Sequence, residues 1–332
     1  MNGQFLINNL KRKDAAEGIT LIVTFSRTIL VPFFFASFKK LNMPRSDIHL
    51  LIYDNTNDET LATALHEELE PIAGQFKSVR FFKSYLKGRG NVVGSGNEQF
   101  RNSKLQNIWC MWNRMKKMIK TNTFFLLEDD TICPPDAFKR LYATLMSSRR
   151  IGFVTGIETG RFSTPWIPVR LGVHRVKMKG LKVLERRSLN PNTRGIVPVD
   201  AAGVYCFAAR TKCYLSGFEG YNPASLKVPF FALDNVLVWN MKQHGWRVLA
   251  DFNVWCTHLQ ATSARIIAFG KEQAVEMIDL WLPKYKCYAP AFEIKKNNQR
   301  CRRFLVTKPA PSWSLEPEDS LDEIFTDKIS KS

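Results

Sequence analysis

Glu128, Asp129 and Asp130 stand together at the end of an apolar run, Phe124 to Leu127, and just ahead of Pro134 and Pro135. Like charges at the end of a buried strand repel, so something must offset them. On an extended strand alternate side chains share a side, which groups Glu128 with Asp130 and turns Asp129 away. Two carboxylates on one side suit a hard divalent cation, Mn2+ or Mg2+, which takes one or two protein carboxylates and fills its shell with phosphate oxygens and water. A structural role is also open, since Asp129 or Asp130 can cap the proline bend or the next helix. Two more runs end in polar residues. Ser26 and Arg27 follow ITLIVTF (19–25) and offer hydroxyl, backbone and guanidinium donors. Asp54 ends HLLIYD (49–54), where an acid can accept from a ribose or base, as one does in dinucleotide folds. Against these stand an ordinary surface role for Arg27 and a turn cap for Asp54.

The elements that must position these residues alternate. ITLIVTF, HLLIYDN (49–55), VRFFKSY (79–85) and TFFLLEDD (123–130) read as strands. Between them lie an apolar segment at 29–41, a helix at 58–72 with Leu61, Leu65 and Leu69 in step, and a helix at 104–120. That order predicts a doubly wound, mostly parallel α/β sheet, whose ligands bind beyond the carboxyl ends of the strands. Beyond Pro135 the pattern predicts a helix at 136–148 capped by Asp136 and a strand at 151–158. It then predicts a strand at 199–210, a helix at 234–246 closed by Gly245, and a strand at 247–258. Residues 161–198 form an insertion rich in Pro, Gly and Arg. Neither GRG nor GSGNEQ is a P-loop, because no Gly-Lys-Ser/Thr follows.

The carriers ITLIVTFSR, IYDNTNDET, FFLLEDDTICPPDAF, VDAAGVYCFAAR and ALDNVLVWNMKQHGWRVLADFNVWCTH together resemble the GT-A nucleotide-sugar glycosyltransferases, in particular the family-2-like inverting branch. The resemblance runs from about Ile19 to His258. It implies that Glu128 and Asp130 hold a divalent metal against the donor diphosphate, with Glu in place of the more usual first Asp. Ser26, Arg27, Asp54 and Asp129 are the residues expected to contact the nucleotide. Asp234, beginning a late helix, matches the general base, and His258, after the following strand, matches a residue that completes the metal shell. Leu233 departs from the family, which usually has another acid there. Asp234 as a helix N-cap and His258 as a core histidine remain the competing readings. The resemblance implies a GT-A-like domain over 1–282, with a nucleotide-sugar-binding half at 18–135 and an acceptor half at 136–282. Residues 283–332 follow as a basic, then acidic, C-terminal extension.

Forty-eight basic against thirty acidic residues leave a net charge of +18. Residues 170–187 hold seven Arg or Lys and one acid, Glu185, and a second basic cluster covers Lys295, Lys296, Arg300, Arg302 and Arg303. Such a surface attracts nucleic acid, anionic lipid or an acidic ligand. Two acceptors fit a transferase with this charge. One is a glycan or lipid-linked acceptor at an anionic membrane face. The other is a hydroxymethylated base in DNA, extruded from the duplex, with Trp166 as a stacking surface or an ordinary packing residue. A non-catalytic nucleic-acid-binding protein with a transferase-like fold is the alternative class. No apolar stretch reaches the roughly 18 to 20 residues of a spanning helix, and the N-terminal sequence does not read as a secretory signal. Seven cysteines with no CxxC pair fit reduced thiols in a cytoplasm rather than a disulfide framework or zinc ribbon.

Overall fold

The computed structural model describes residues 16–26, 28–54, 60–83, 108–109, 111–158, 173–179, 182–189, 193–219, 233–262 and 265–269. Arg27, the glycine-rich loop at 87–97, Trp166, and the basic cluster and acidic tail beyond 269 lie outside the described residues.

Strand β1 (Ile19–Phe25) is apolar or β-branched throughout and buried along its whole length, as a central parallel strand must be. Strands β2 (Ile48–Asp54) and β4 (Thr123–Glu128) flank it in parallel, and β3 (Ser78–Lys83) extends the sheet beyond β2. The first crossover is a 3₁₀ turn, Thr28–Leu30, leading into helix α1 (Val31–Phe38). Pro32 falls in the first turn of α1, where no intrahelical N–H is needed. Helix α2 (Thr60–Ala73) and a helix α3 over 111–118 make the next crossovers. A short β5 (Thr131–Ile132) and helix α4 (Ala137–Met146) follow β4. Asp136 occupies the N-cap position of α4, but its carboxylate takes the Arg140 guanidinium at 2.5 Å and makes no cap bond to backbone.

The second half contributes β6 (Ile151–Glu158), β11 (Cys206–Arg210), helices α5 (Thr211–Ser216) and α6 (Leu233–Gln243), β12 (Arg247–Thr262) and β13 (Arg265–Phe269). Among the described residues they complete a ten-stranded sheet ordered β13-β12-β6-β11-β4-β1-β2-β3, with β5 and β9 (Ile196–Pro198) also pairing β12. Along that path β3, β2, β1, β4, β6 and β12 run one way and β11 and β13 the other. The architecture is therefore mixed α/β with a mostly parallel sheet, as the element order predicts. Inside the insertion, β7 (Val173–Lys179) and β8 (Lys182–Ser188) form an antiparallel hairpin.

One expected strand breaks in two. Within 199–210, β10 (Ala201–Ala202) joins β7 in a separate three-stranded sheet, while β11 enters the main sheet antiparallel to β4 and β6. Gly203 lies at the break. A Cβ there would sit 2.4 Å from the Tyr205 ring, so the chain passes too close to its own aromatic for any side chain.

Two cores sandwich the sheet. On one face Phe34 and Phe35 of α1 pack on Phe25 and Phe38 stacks on Phe34, with α2 and α4 beside them. On the other, Phe124, Phe207 and Tyr214 meet edge to face or stacked, under α3, α5 and α6. None of the described helices is long and apolar enough to cross a membrane.

Lys116, on α3, lies over the Phe218 ring with its ammonium 4.6 Å from the centroid. Burial, with the adjacent charge of Lys117, lowers its pKa from 10.5 to about 8. Between those values the unfolded chain binds the proton that the folded one has lost, so stability rises with pH across that window. Chemical denaturation from pH 7.5 to 10.5 will show this rise, and Lys116→Met will flatten it.

Candidate functional site

The carboxyl ends of β1, β2, β4 and β6 lie level along one edge of the sheet. Phe25 is register partner to Asp54, and Thr24 to Glu128. Ser26 follows β1 directly. The structure thus brings together Ser26, Asp54 and the acidic turn. The turn itself differs from the expected alternation. The strand stops at Glu128, and Asp129–Asp130 form a tight turn before β5. Both turn residues are buried, Asp129 at 3% and Asp130 at 1% exposure, whereas Glu128 is half-buried.

Asp129 is committed to the neighbouring strand. Its backbone N–H donates to the Thr24 carbonyl at 3.1 Å, and its carboxylate accepts the Ser26 N–H at 2.6 Å and the Ser26 hydroxyl at 3.1 Å. Asp129 therefore shapes the rim through Ser26, and the two act as one unit.

Because β11 is antiparallel, its N-terminal end reaches the same edge. Cys206 is partner to Leu127, and the Tyr205 carbonyl accepts the Glu128 N–H at 2.9 Å. Gly203, two residues back, faces Asp234: one Asp234 oxygen lies 3.5 Å from where a Gly203 Cβ would be. Asp234 occupies the first turn of α6, behind the buried Leu233, and its other oxygen accepts the Asn235 N–H at 2.8 Å. Asp234 is thus inside the helix, which begins at Leu233, and not at the expected N-cap position, though its carboxylate does satisfy one first-turn N–H. Backbone pairing of β12 with β5 sets His258 opposite Thr131, one residue beyond Asp130.

Sequence reasoning missed Glu158. It ends the parallel strand β6, is buried, and its carboxylate accepts the Thr131 hydroxyl at 3.0 Å. An acid closing an apolar strand was the available signal. Tyr205, whose hydroxyl donates to the Gly156 carbonyl at 3.2 Å, lies deep beside it, and burial with the Glu158 charge pushes its pKa well up.

The donor set fits a hard cation. Glu128 and Asp130 offer carboxylate oxygens at the strand end, Glu128 half-buried and Asp130 buried. No three carboxylate or histidine ligand atoms converge within 4.8 Å of one another among the described residues, so the acidic turn is no closed cage. One or two carboxylates with room for phosphate oxygens is the usual Mg2+ arrangement.

Fold and edge together define an α/β protein of the GT-A-like class, with its polar residues gathered beyond the carboxyl ends of the parallel strands. No known family profile matches the chain, and no curated protein sequence does. Among solved structures it is similar to the mannosyltransferase PcManGT from Pyrobaculum calidifontis, solved with GDP-Man and Mn2+. Identity is 11% and the TM-score 0.44, over 76% of this chain and 62% of that one. It is also similar to TarS 1–349 from S. aureus, with 14% identity and a TM-score of 0.41 over 72% of this chain and 60% of that one. A third is A197 from STIV, at 13% identity and a TM-score of 0.33, covering 76% and 90%. TM-scores below 0.5 mark broad likeness only, and the fold class stands on the strand order itself.

Asp129→Ala leaves the Ser26 N–H without its acceptor and will lower unfolding stability by about 1–3 kcal/mol. Urea denaturation measures the loss, and Asp129→Asn, which keeps one acceptor oxygen, will recover part of it.

Proposed function

We propose that the protein is a metal-dependent glycosyltransferase that moves a sugar from a nucleotide-sugar donor to an acceptor hydroxyl with inversion. The observation that carries this reading is the convergence on one sheet edge of Ser26, Asp54, Glu128 and Asp130, with Asp234 reaching it across Gly203. Ser26, fixed by Asp129, and Asp54 hold the nucleotide, and Arg27 is assigned to the same task from the sequence. Glu128 and Asp130, with His258, hold Mn2+ or Mg2+, which when bound offsets the charge growing on the departing diphosphate. Asp234 takes the proton from the acceptor hydroxyl as its oxygen attacks the anomeric carbon, and that direct displacement inverts the configuration. The dense charge of the acidic turn thereby acquires a purpose, since a cation is the natural partner for it.

The acceptor side is the hairpin. Arg175, Lys177 and Arg187 are exposed there, and Arg175 faces Arg187 directly across the two strands. Arg187 pairs with Glu185 at 3.1 Å and Arg175 approaches Asp200 at 4.0 Å, so the positive face is partly offset. Opposed like charges on a ribbon favour a polyanion. The acceptor is a glycan or lipid at an anionic surface, or a hydroxymethylated base in DNA, in a cytoplasmic setting. Leu233, apolar and buried where an acid would strengthen the base, favours the second reading, a non-catalytic nucleic-acid-binding protein with this fold.

Incubation with a panel of sugar nucleotides, Mn2+, and plain or hydroxymethylated duplex DNA, followed by mass spectrometry, separates these readings. A transferase will release nucleotide. Asp234→Ala will lower turnover by about 10²–10⁴-fold with donor binding kept, while Asp130→Ala will abolish metal-dependent donor binding. No metal-dependent donor binding by the wild-type chain would favour the binding protein. Separately, Arg175→Ala with Lys177→Ala will weaken DNA binding alike for every sequence and flatten its salt dependence by about one unit of slope per lost phosphate contact. Titrations at several salt concentrations measure this.

A further inference from the structure

Three of the seven cysteines, remote in sequence, meet in the core. Cys133 follows β5, Cys206 opens β11 and Cys256 lies in β12, and all three are buried. The sulfurs of Cys133 and Cys206 are 3.4 Å apart, those of Cys133 and Cys256 3.7 Å, and all three fall within 4.8 Å of one another. Among the described residues this is the only group of three or more metal-ligand atoms so close together. We propose that Cys133, Cys206 and Cys256 form a thiolate site for one thiophilic d10 cation, Zn2+ or Cu+, separate from the carboxylate edge.

Distances favour this over a chance meeting of small core residues. With Zn–S bonds of about 2.3 Å, neighbouring sulfurs of a tetrahedral site stand roughly 3.8 Å apart. The two measured separations lie just inside that value and the third pair is within 4.8 Å, so an ion needs only a modest shift of the thiols. The ligands are also held. The Ser37 hydroxyl donates to the Cys133 carbonyl at 3.0 Å and receives the Cys133 N–H at 3.1 Å, fixing that residue on both sides. Gly156 lets the Cys256 sulfur sit close against the backbone, since a Cβ there would come within 3.2 Å of it. Hydrogen bonding with Cys206 and Cys256 lowers the Cys133 pKa to about 6, while Cys206 is raised chiefly by burial and Cys256 by its bond to Cys133. A bound cation takes all three sulfurs as thiolates, and the displaced thiol protons pass to solvent. Soft sulfur donors select Zn2+ and Cu+ over the Mn2+ or Mg2+ suited to the carboxylates.

The placement gives the site a purpose. Cys133 is three residues beyond Asp130, Cys206 is register partner to Leu127, and Cys256 is partner to Glu158. An ion here would pin the acidic turn to both β11 and β12.

The test is elemental analysis of the full chain, purified under reducing conditions without chelator, together with Co2+ loading followed in the near ultraviolet. One Zn2+ or Cu+ per chain is expected, the analysis itself telling the two apart, with a strong thiolate-to-cobalt charge-transfer band. Cys206→Ser will lose both signals. Cys213→Ser, at a buried cysteine outside the cluster, and Asp130→Ala, at the carboxylate turn, will keep them. Absence of metal together with no charge-transfer band in the wild-type chain would overturn the proposal, and that result does not depend on any variant folding. Equal metal loss in Cys213→Ser and Cys206→Ser would overturn it too.

Discussion

The structure depends on burying carboxyl groups along one edge of a sheet. Asp54, Asp129, Asp130 and Glu158 all lie at or near the carboxyl ends of parallel strands, each at 4% exposure or less. A charge taken out of water is costly unless hydrogen bonds or counter-charge replace the solvent. The fold supplies some of that replacement itself: Ser26 serves Asp129, and Thr131 serves Glu158. Each such bond joins two strands, so the interactions that make the acids tolerable also align the strand ends. Position and solvation are here one problem with one solution.

A reversed strand makes the edge richer than a parallel sheet alone would allow. Loops entering and leaving a purely parallel sheet lie on opposite edges. Antiparallel β11 brings its incoming segment to the outgoing edge of β4, which places Tyr205 against Glu128 and Gly203 beside Asp234. The two-residue β5 does similar work on the other side. By turning back along β12 it sets the backbone of His258 next to the acidic turn.

What the sequence discloses follows from how local each signal is. β1 and β6 are legible to the residue, because their apolar runs end in clear polar punctuation. Helix α6 is legible at its end too: Gly245, at φ 84°, closes it in the left-handed conformation that glycine accepts most easily. The acidic turn, Asp54 and Ser26 are visible for the same reason. The break at Gly203 is not, since an apolar run reads as one strand until the Tyr205 ring is seen against the backbone. The convergence of Cys133, Cys206 and Cys256 is invisible to spacing rules, because the thiols are brought together by sheet order across as many as 123 residues. Asp129 was readable as an acid at a strand end, but its engagement with Ser26 depends on a turn where alternation stops.

Asp200 joins the hairpin to the rest of the protein. Its carboxylate accepts the Val176 N–H of β7 at 2.9 Å and pairs with Lys242, in the last turn of the helix that begins at Leu233. Hairpin and helix therefore travel as one piece, with Asp234 at the far end of the same rod. The hairpin can lengthen, shorten or change its side chains past Val176 without moving that rod. Its outer reach is thus an interchangeable tool head, set on a handle that carries Asp234.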